Sequence, residues 1–146
     1  MVSSSAEKAD NDTLSVHLGM IQNVISRMAS NSFLLRGWSV TLVAALSALA
    51  AADAREQFAY LALLPALAFW GLDAYYLQQE RLFRKLYEGV RKSPKSSTNN
   101  QTFSMDTSPY RHQVRSIFLT PLTAVLILFH GTIVISIAAV IVTLSW

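Results

Sequence analysis

The sequence predicts an all-α integral membrane protein. It should have three transmembrane helices, an N-terminal amphipathic helix and a cytoplasmic extension of the second span. Three observations carry this expectation. Residues 38–52 and 58–72 contain no charge and are joined by the short polar turn Asp53, Ala54, Arg55 and Glu56. A third run, residues 117–146, has no ionisable side chain except His130. Charged residues make up only 14% of the 146, against about 25% in an average soluble domain.

Residues 1–12 are Ser-rich and acidic, which suits a disordered N-terminus. They lack the basic start and apolar run of a secretory signal, so the first span is expected to act as its own insertion signal. From Thr13 a helical period begins. Leu14, Leu18, Ile21, Val24, Ile25 and Met28 share one face, and Ser15, Gln22, Asn23, Ser26 and Ser30 the other. Residues 13–30 therefore read as an amphipathic helix capped by Asp12 or Thr13.

The first span is expected over residues 34–53, with Arg36 and Trp38 marking its interface. Ala44, Ala48 and Ala52 recur every four residues, with Ala45 and Ser47 alongside, a spacing that lets a second helix approach closely. The second span, within residues 57–92, contains Pro65, which is expected to kink it. Past Gly71, within the span, no breaker follows before Gly89, so the helix should leave the membrane and continue to about Lys92. That extension has an apolar stripe of Leu82, Phe83, Leu86, Tyr87 and Val90. Glu80 with Arg84, and Glu88 with Lys92, form i,i+4 pairs in the favourable order. Neither polar helix can bury its stripe alone. Packing together as a stalk, or with copies in a homo-oligomer, is the economical solution.

Residues 93–114 read as a cytoplasmic linker, although Phe103 to Tyr110 is less bland than a spacer needs to be. Residues 117–145 should hold an interfacial start, with Pro121, and then the third span. Two crossings would need at least about 34 residues and a turn, too many for this stretch. Arg81, Arg84, Lys85, Arg91, Lys92, Lys95, Arg111 and Arg115 lie between the second and third spans, while the opposing turn has only Arg55. The positive-inside rule then puts the N-terminus in the cytoplasm and the C-terminus outside. The same basic cluster suits anionic headgroups of the lipid bilayer rather than nucleic acid.

Asp73 is the sharpest candidate residue, an acid at the edge of a span and level with Arg36 on the antiparallel neighbour. A structural ion pair is the plainer reading, and gating or ion coordination the alternative. His130 interrupts the third span as a packing residue or a protonation switch. Beyond it Thr132, Ser136, Ala139 and Thr143 form a mildly polar stripe, either a helix seam or the lining of a narrow pore. Arg27, Asn31 and Ser32 mark the junction of stalk and span, as a hinge or as caps and headgroup contacts. Arg27, Arg81, Arg84, Lys85, Met105, Asp106 and Tyr110 are candidates for partner or lipid contact.

With no cysteine, disulfides, thiolate metal sites and cysteine nucleophiles are excluded. The sequence has no phosphate loop, catalytic carboxylate pair or Ser-His-Asp pattern. His17, His112 and His130 are dispersed too widely to share a metal under this topology. No enzymatic activity and no cofactor is expected.

Residues 20–33 (MIQNVISRMASNSF) and 36–46 (RGWSVTLVAAL) resemble a widespread, largely uncharacterised group of small bacterial membrane proteins. So do FWGLD at 69–73, QERLFRKLY at 79–87 and SMDTSPY at 104–110. The resemblance covers residues 17–129 and implies a bacterial inner membrane location. The architecture also loosely resembles membrane effectors of bacterial anti-phage systems. That likeness implies an oligomeric pore-forming or membrane-disrupting effector of antiviral defence, controlled by a cytoplasmic protein partner or signal. The alternative is a non-conducting anchor or scaffold for a soluble partner. A pore needs Thr132, Ser136 or His130 to face a symmetry axis; an anchor does not.

Overall fold

Helix-forming residues run almost without interruption from Val2 to Asp53, with no proline between them. In the computed structural model, which describes residues 2–53, 55–92, 103–114 and 116–146, this stretch is one helix, α1 (Val2–Asp53). A second helix, α2 (Glu56–Lys92), follows, and the chain ends in α3 (Ala124–Ser145). Short 3-10 turns occupy Ser108–Gln113 and Thr120–Leu122. No strand occurs among the described residues.

All three α-helices are long and apolar enough to cross a membrane. At about 1.5 Å per residue α3 measures ~33 Å, close to a hydrocarbon core of ~30 Å. On the same measure α1 and α2 reach ~78 Å and ~55 Å, so both continue far beyond such a core.

α1 differs from the expected sequence of disordered tail, amphipathic helix, connector and span. The buried and half-buried residues along it include a continuous row of His17, Ile21, Ile25, Met28, Ser32, Arg36, Ser39, Val43, Leu46 and Ala50. Their spacing of three and four residues never breaks, which is the seam of a helix packed on a neighbour. The amphipathic face and the face of the span are therefore one face. Splitting the helix at residues 28–36 would twist that seam out of line. The N-terminal residues 2–12 join the same helix because Glu7, Lys8 and Ala9 propagate it readily.

α2 lies antiparallel to α1. Its buried residues are Ala59, Ala62, Ala66, Asp73, Ala74, Leu82 and Leu86. Alanines dominate the apolar half, so the backbones approach closely where shape complementarity must supply the attraction. Val43, Ala62, Ala66 and Ile137 form one core cluster, against which Leu46, Leu63, Ile133 and Ile141 pack. All three helices meet there. The close-packing surface of α1 is Ser39, Val43 and Ala50, whereas Ala44, Ala48 and Ala52 are exposed on the protomer. The expected alanine seam is thus displaced by about one position, because the helix is rotated by the needs of its stalk half. α2 also runs unbroken through Pro65.

A second cluster builds the stalk. Ile21, Ile25 and Leu86 are buried together, with Phe83, Tyr87, Val90, Met105 and Tyr110 packed on them. The last two come from the segment expected to be linker. Residues 103–114 fold back onto the stalk; residues 93–102 of that linker lie outside the described residues. Glu80 and Arg84 form the expected pair at 2.7 Å. Glu88 pairs with Lys85 at 3.2 Å instead of Lys92, since i,i+3 neighbours are as close on a helix as i,i+4 ones.

Candidate functional site: a buried polar junction of three helices

Where stalk and apolar hairpin meet, four polar side chains converge in the interior. Asp73 projects from α2 with no exposed surface. Its Oδ1 accepts the hydroxyl hydrogen of Ser32 from α1. Its Oδ2 accepts from Arg36 Nε at 2.7 Å, one helical turn along α1. The same oxygen lies 3.1 Å from His130 Nε2 on α3, which donates to it. One carboxylate therefore ties all three helices together.

The geometry explains how an acid is tolerated at this depth. A lone buried carboxylate is costly, and the cost falls when an opposite charge and further donors compensate it. Arg36 supplies the charge at the half-exposed edge of the site, with 27% of its side chain accessible. Its guanidinium also lies over the Phe129 ring, 5.7 Å from the centroid. His130 is held from its other side by Trp70, whose ring stacks on it at 5.8 Å and 10°. Trp70 Nε1 donates to the Pro121 carbonyl at 3.2 Å, fixing the entry into α3. His130 Nδ1 and Ser39 Oγ are buried without a hydrogen-bond partner.

Of the candidate residues, the structure joins Asp73, Arg36, His130 and Ser32. It separates His130 from the remaining α3 stripe. His130 is buried inside the protomer, while Thr132, Ser136, Ala139 and Thr143 are exposed on its outside. Their hydroxyls turn back on their own helix: Thr132 donates to Leu128 O at 2.6 Å, Ser136 to Thr132 O at 2.9 Å and Thr143 to Val140 O at 2.9 Å. His130 faces Asp73, whose carboxylate pairs its Nε2. A pore axis through His130 would have to break this bond. The other four residues remain available to a neighbouring copy or to lipid.

A second polar assembly sits on the stalk. His17 Nε2 donates to the Ser104 carbonyl at 3.0 Å, and its ring meets Phe103 at 5.8 Å. Phe103 takes a left-handed φ of 64°, which turns the chain back onto the stalk. Asp106 Oδ1 accepts from the Ser108 backbone N–H at 2.9 Å, and Asp106 N–H donates to Ser104 Oγ at 3.3 Å. These local bonds shape the turn that delivers Met105 and Tyr110 to the core. The Ser108 hydrogen bonds hold the Asp106 carboxyl below the usual aspartate range. Gly89 is the seat of Tyr110: a Cβ there would overlap the phenol hydroxyl and lie 2.7 Å from its Cζ. Arg27 and Arg84 are exposed, and Arg81 and Lys85 are half-buried along the stalk.

Sequence reasoning placed Ser32 at the junction without its partner, and passed over Ser39, Trp70, His17 and the role of Gly89. A signal for the two serines existed. Continuing the three-and-four spacing of Ile21, Ile25 and Met28 leads to Ser32 and Ser39. Among the described residues no group of three or more His, Asp or Glu could hold a metal ion. Comparison with protein-family models, characterised proteins and solved structures finds no match to this chain.

Proposed function

We propose that the protein is a membrane-spanning effector of the bacterial cell membrane that acts as a homo-oligomer and is controlled through its stalk. The stalk and N-terminus are cytoplasmic and the C-terminus is outside in this reading. The observation that carries it is the junction at Asp73. α1 and α2 are continuous from stalk to apolar hairpin, and Asp73 of α2, which accepts from Ser32 and Arg36 of α1, accepts from His130 of α3 as well. A shift of one stalk helix along the other must therefore strain or release α3. The exposed Ala139 and Thr143 give neighbouring copies a small-residue surface on the same helix. Control belongs to residues 103–114, which cover the apolar stripe that a cytoplasmic partner would use.

A second reading is supported by the completeness of the junction. Asp73 has a donor on both oxygens and a formal countercharge, as befits a static brace. The protein would then be a non-conducting anchor for a soluble partner.

Purified protein in liposomes separates the two. The effector reading expects an oligomer, with release of trapped ions or dye that rises in Tyr110→Ala, where the stalk stripe is uncovered. Circular dichroism confirms that the variant is folded. A monomer whose liposomes stay sealed for wild type and Tyr110→Ala overturns the effector reading and leaves the anchor.

A further inference from the structure

Between α1 and α3, on the side away from α2, runs a groove of about 700 Å³. Val40, Val43, Leu128, Phe129 and Ile133 are among its walls, and among the described residues Arg36 is the one charged residue lining it. We propose that this groove is a binding site for a single anionic phospholipid of the stalk-side leaflet, its phosphate on Arg36 and one acyl chain between α1 and α3. The inference rests on the chain spanning a bilayer and is independent of whether it conducts.

The walls select hydrocarbon. Thr132 and Ser136 line the groove, but both hydroxyls donate to carbonyls of their own helix. They offer an acyl chain methyl and methylene surface, and the volume falls within the ~300–1,000 Å³ of small-ligand sites.

The head selects an anion. Arg36 spends only Nε–H on Asp73. A guanidinium carries five N–H donors in a planar fork, so among the described residues the Nη edge remains for an outside acceptor. Asp73 meets Arg36 from inside the protein and through one edge of the fork, while 27% of the Arg36 side chain stays accessible. A phosphate diester presents two oxygens that match the fork. Phe129 beneath the guanidinium holds its plane.

The length selects one leaflet. From Arg36 to Ser47 along α1, and from Phe129 beside it to Val140 along α3, the groove runs ~16 Å beyond the cation at about 1.5 Å per residue. Half of a ~30 Å hydrocarbon core is ~15 Å. A helix of a second copy would run the full core; this groove, capped by a cation at one end, fits a lipid tail entering from one side. Arg36 is thus shared between the lipid and the junction that joins the three helices.

The test uses the full-length protein in nanodiscs of phosphatidylcholine doped with phosphatidylglycerol. In parallel samples one lipid or the other carries a photoreactive acyl chain, at equal mole fraction, and labelled residues are mapped by mass spectrometry. Ala44 and Ser136 in the groove should be labelled severalfold more by the phosphatidylglycerol probe. Leu64, Ile135 and Val142, all exposed on outward faces, should take both probes equally. Ser136→Phe, which fills the groove and leaves Arg36 and Asp73 untouched, should abolish the preference at Ala44. Arg36→Gln should abolish it and Arg36→Lys should retain part. Equal labelling of groove and outward residues by both probes means bulk lipid only and overturns the proposal. An unlabelled groove beside labelled outward residues means that protein fills it, which also overturns it. Outward residues unlabelled by either probe would overturn the membrane-spanning reading itself.

Discussion

His130 and Asp73 lie 57 residues apart in sequence and meet in the interior, Nε2 3.1 Å from Oδ2. The same oxygen is 2.7 Å from Arg36 Nε. The third helix is thereby bonded to the point where the first two are bonded to each other. Loss of one partner should be felt by all three helices.

Asp73→Ala removes the acceptor of three donors. Breaking a buried ion pair by removing one partner costs about 3 kcal/mol or more. Unfolding in detergent should show a loss of this size, whereas Leu64→Ala on the outer face should change little. A loss for Asp73→Ala no greater than that of Leu64→Ala would show that the junction is not a brace.

Trp70→Phe keeps an aromatic ring against His130 and deletes the donor to the Pro121 carbonyl. One hydrogen bond contributes about 1 kcal/mol. The destabilisation should be of that order, with faster amide exchange at residues 120–123 and no change in the stalk.

Gly89→Ala should free residues 103–114 without harming α2. Alanine is a better helix former than glycine by about 1 kcal/mol, while its methyl occupies the seat of the Tyr110 ring. Limited proteolysis should cut the segment roughly tenfold faster, as expected for ~1.4 kcal/mol of lost docking at fast opening. Helix content by circular dichroism should hold. Unchanged proteolysis would mean that Tyr110 does not anchor the segment.

The turn that carries Met105 should loosen in acid. The Asp106 carboxyl is held below its ordinary value by its hydrogen bonds to Ser108. A depressed folded-state value contributes stability above the unfolded value, near 3.9, which is lost as pH falls through the folded value. Protection of residues 103–114 should therefore be constant from neutral pH down to about 5 and fall only below ~3.9. Asp106→Asn should flatten this dependence. A transition near pH 6 would assign the effect to another group.

Much of the fold was legible because it depends on residue type and local period. The uncharged runs, the stripes Leu14 to Met28 and Leu82 to Val90, and the pairing of Glu80 with Arg84 follow from which residues recur at helical spacing. Asp73 and Arg36 stood out because charge beside an apolar run is rare. Ser32 and Ser39 did not, since a hydrophobicity pattern discards serine even where it continues a packing seam.

The sequence by itself determined three apolar helices, a polar stalk and the level at which charge enters the hairpin. Only the tertiary structure decided that α1 is a single rod, that residues 103–114 return to the stalk, and that His130 turns inward to Asp73 while Thr132 and Ser136 turn outward. The physical reason is one of range. Apolar content and period act between neighbours in the chain, whereas the rotation of α1 and α3 about their axes is set by distant contacts: the stalk packing of Ile21 and Ile25 for α1, and for both a carboxylate on α2 that collects donors from each.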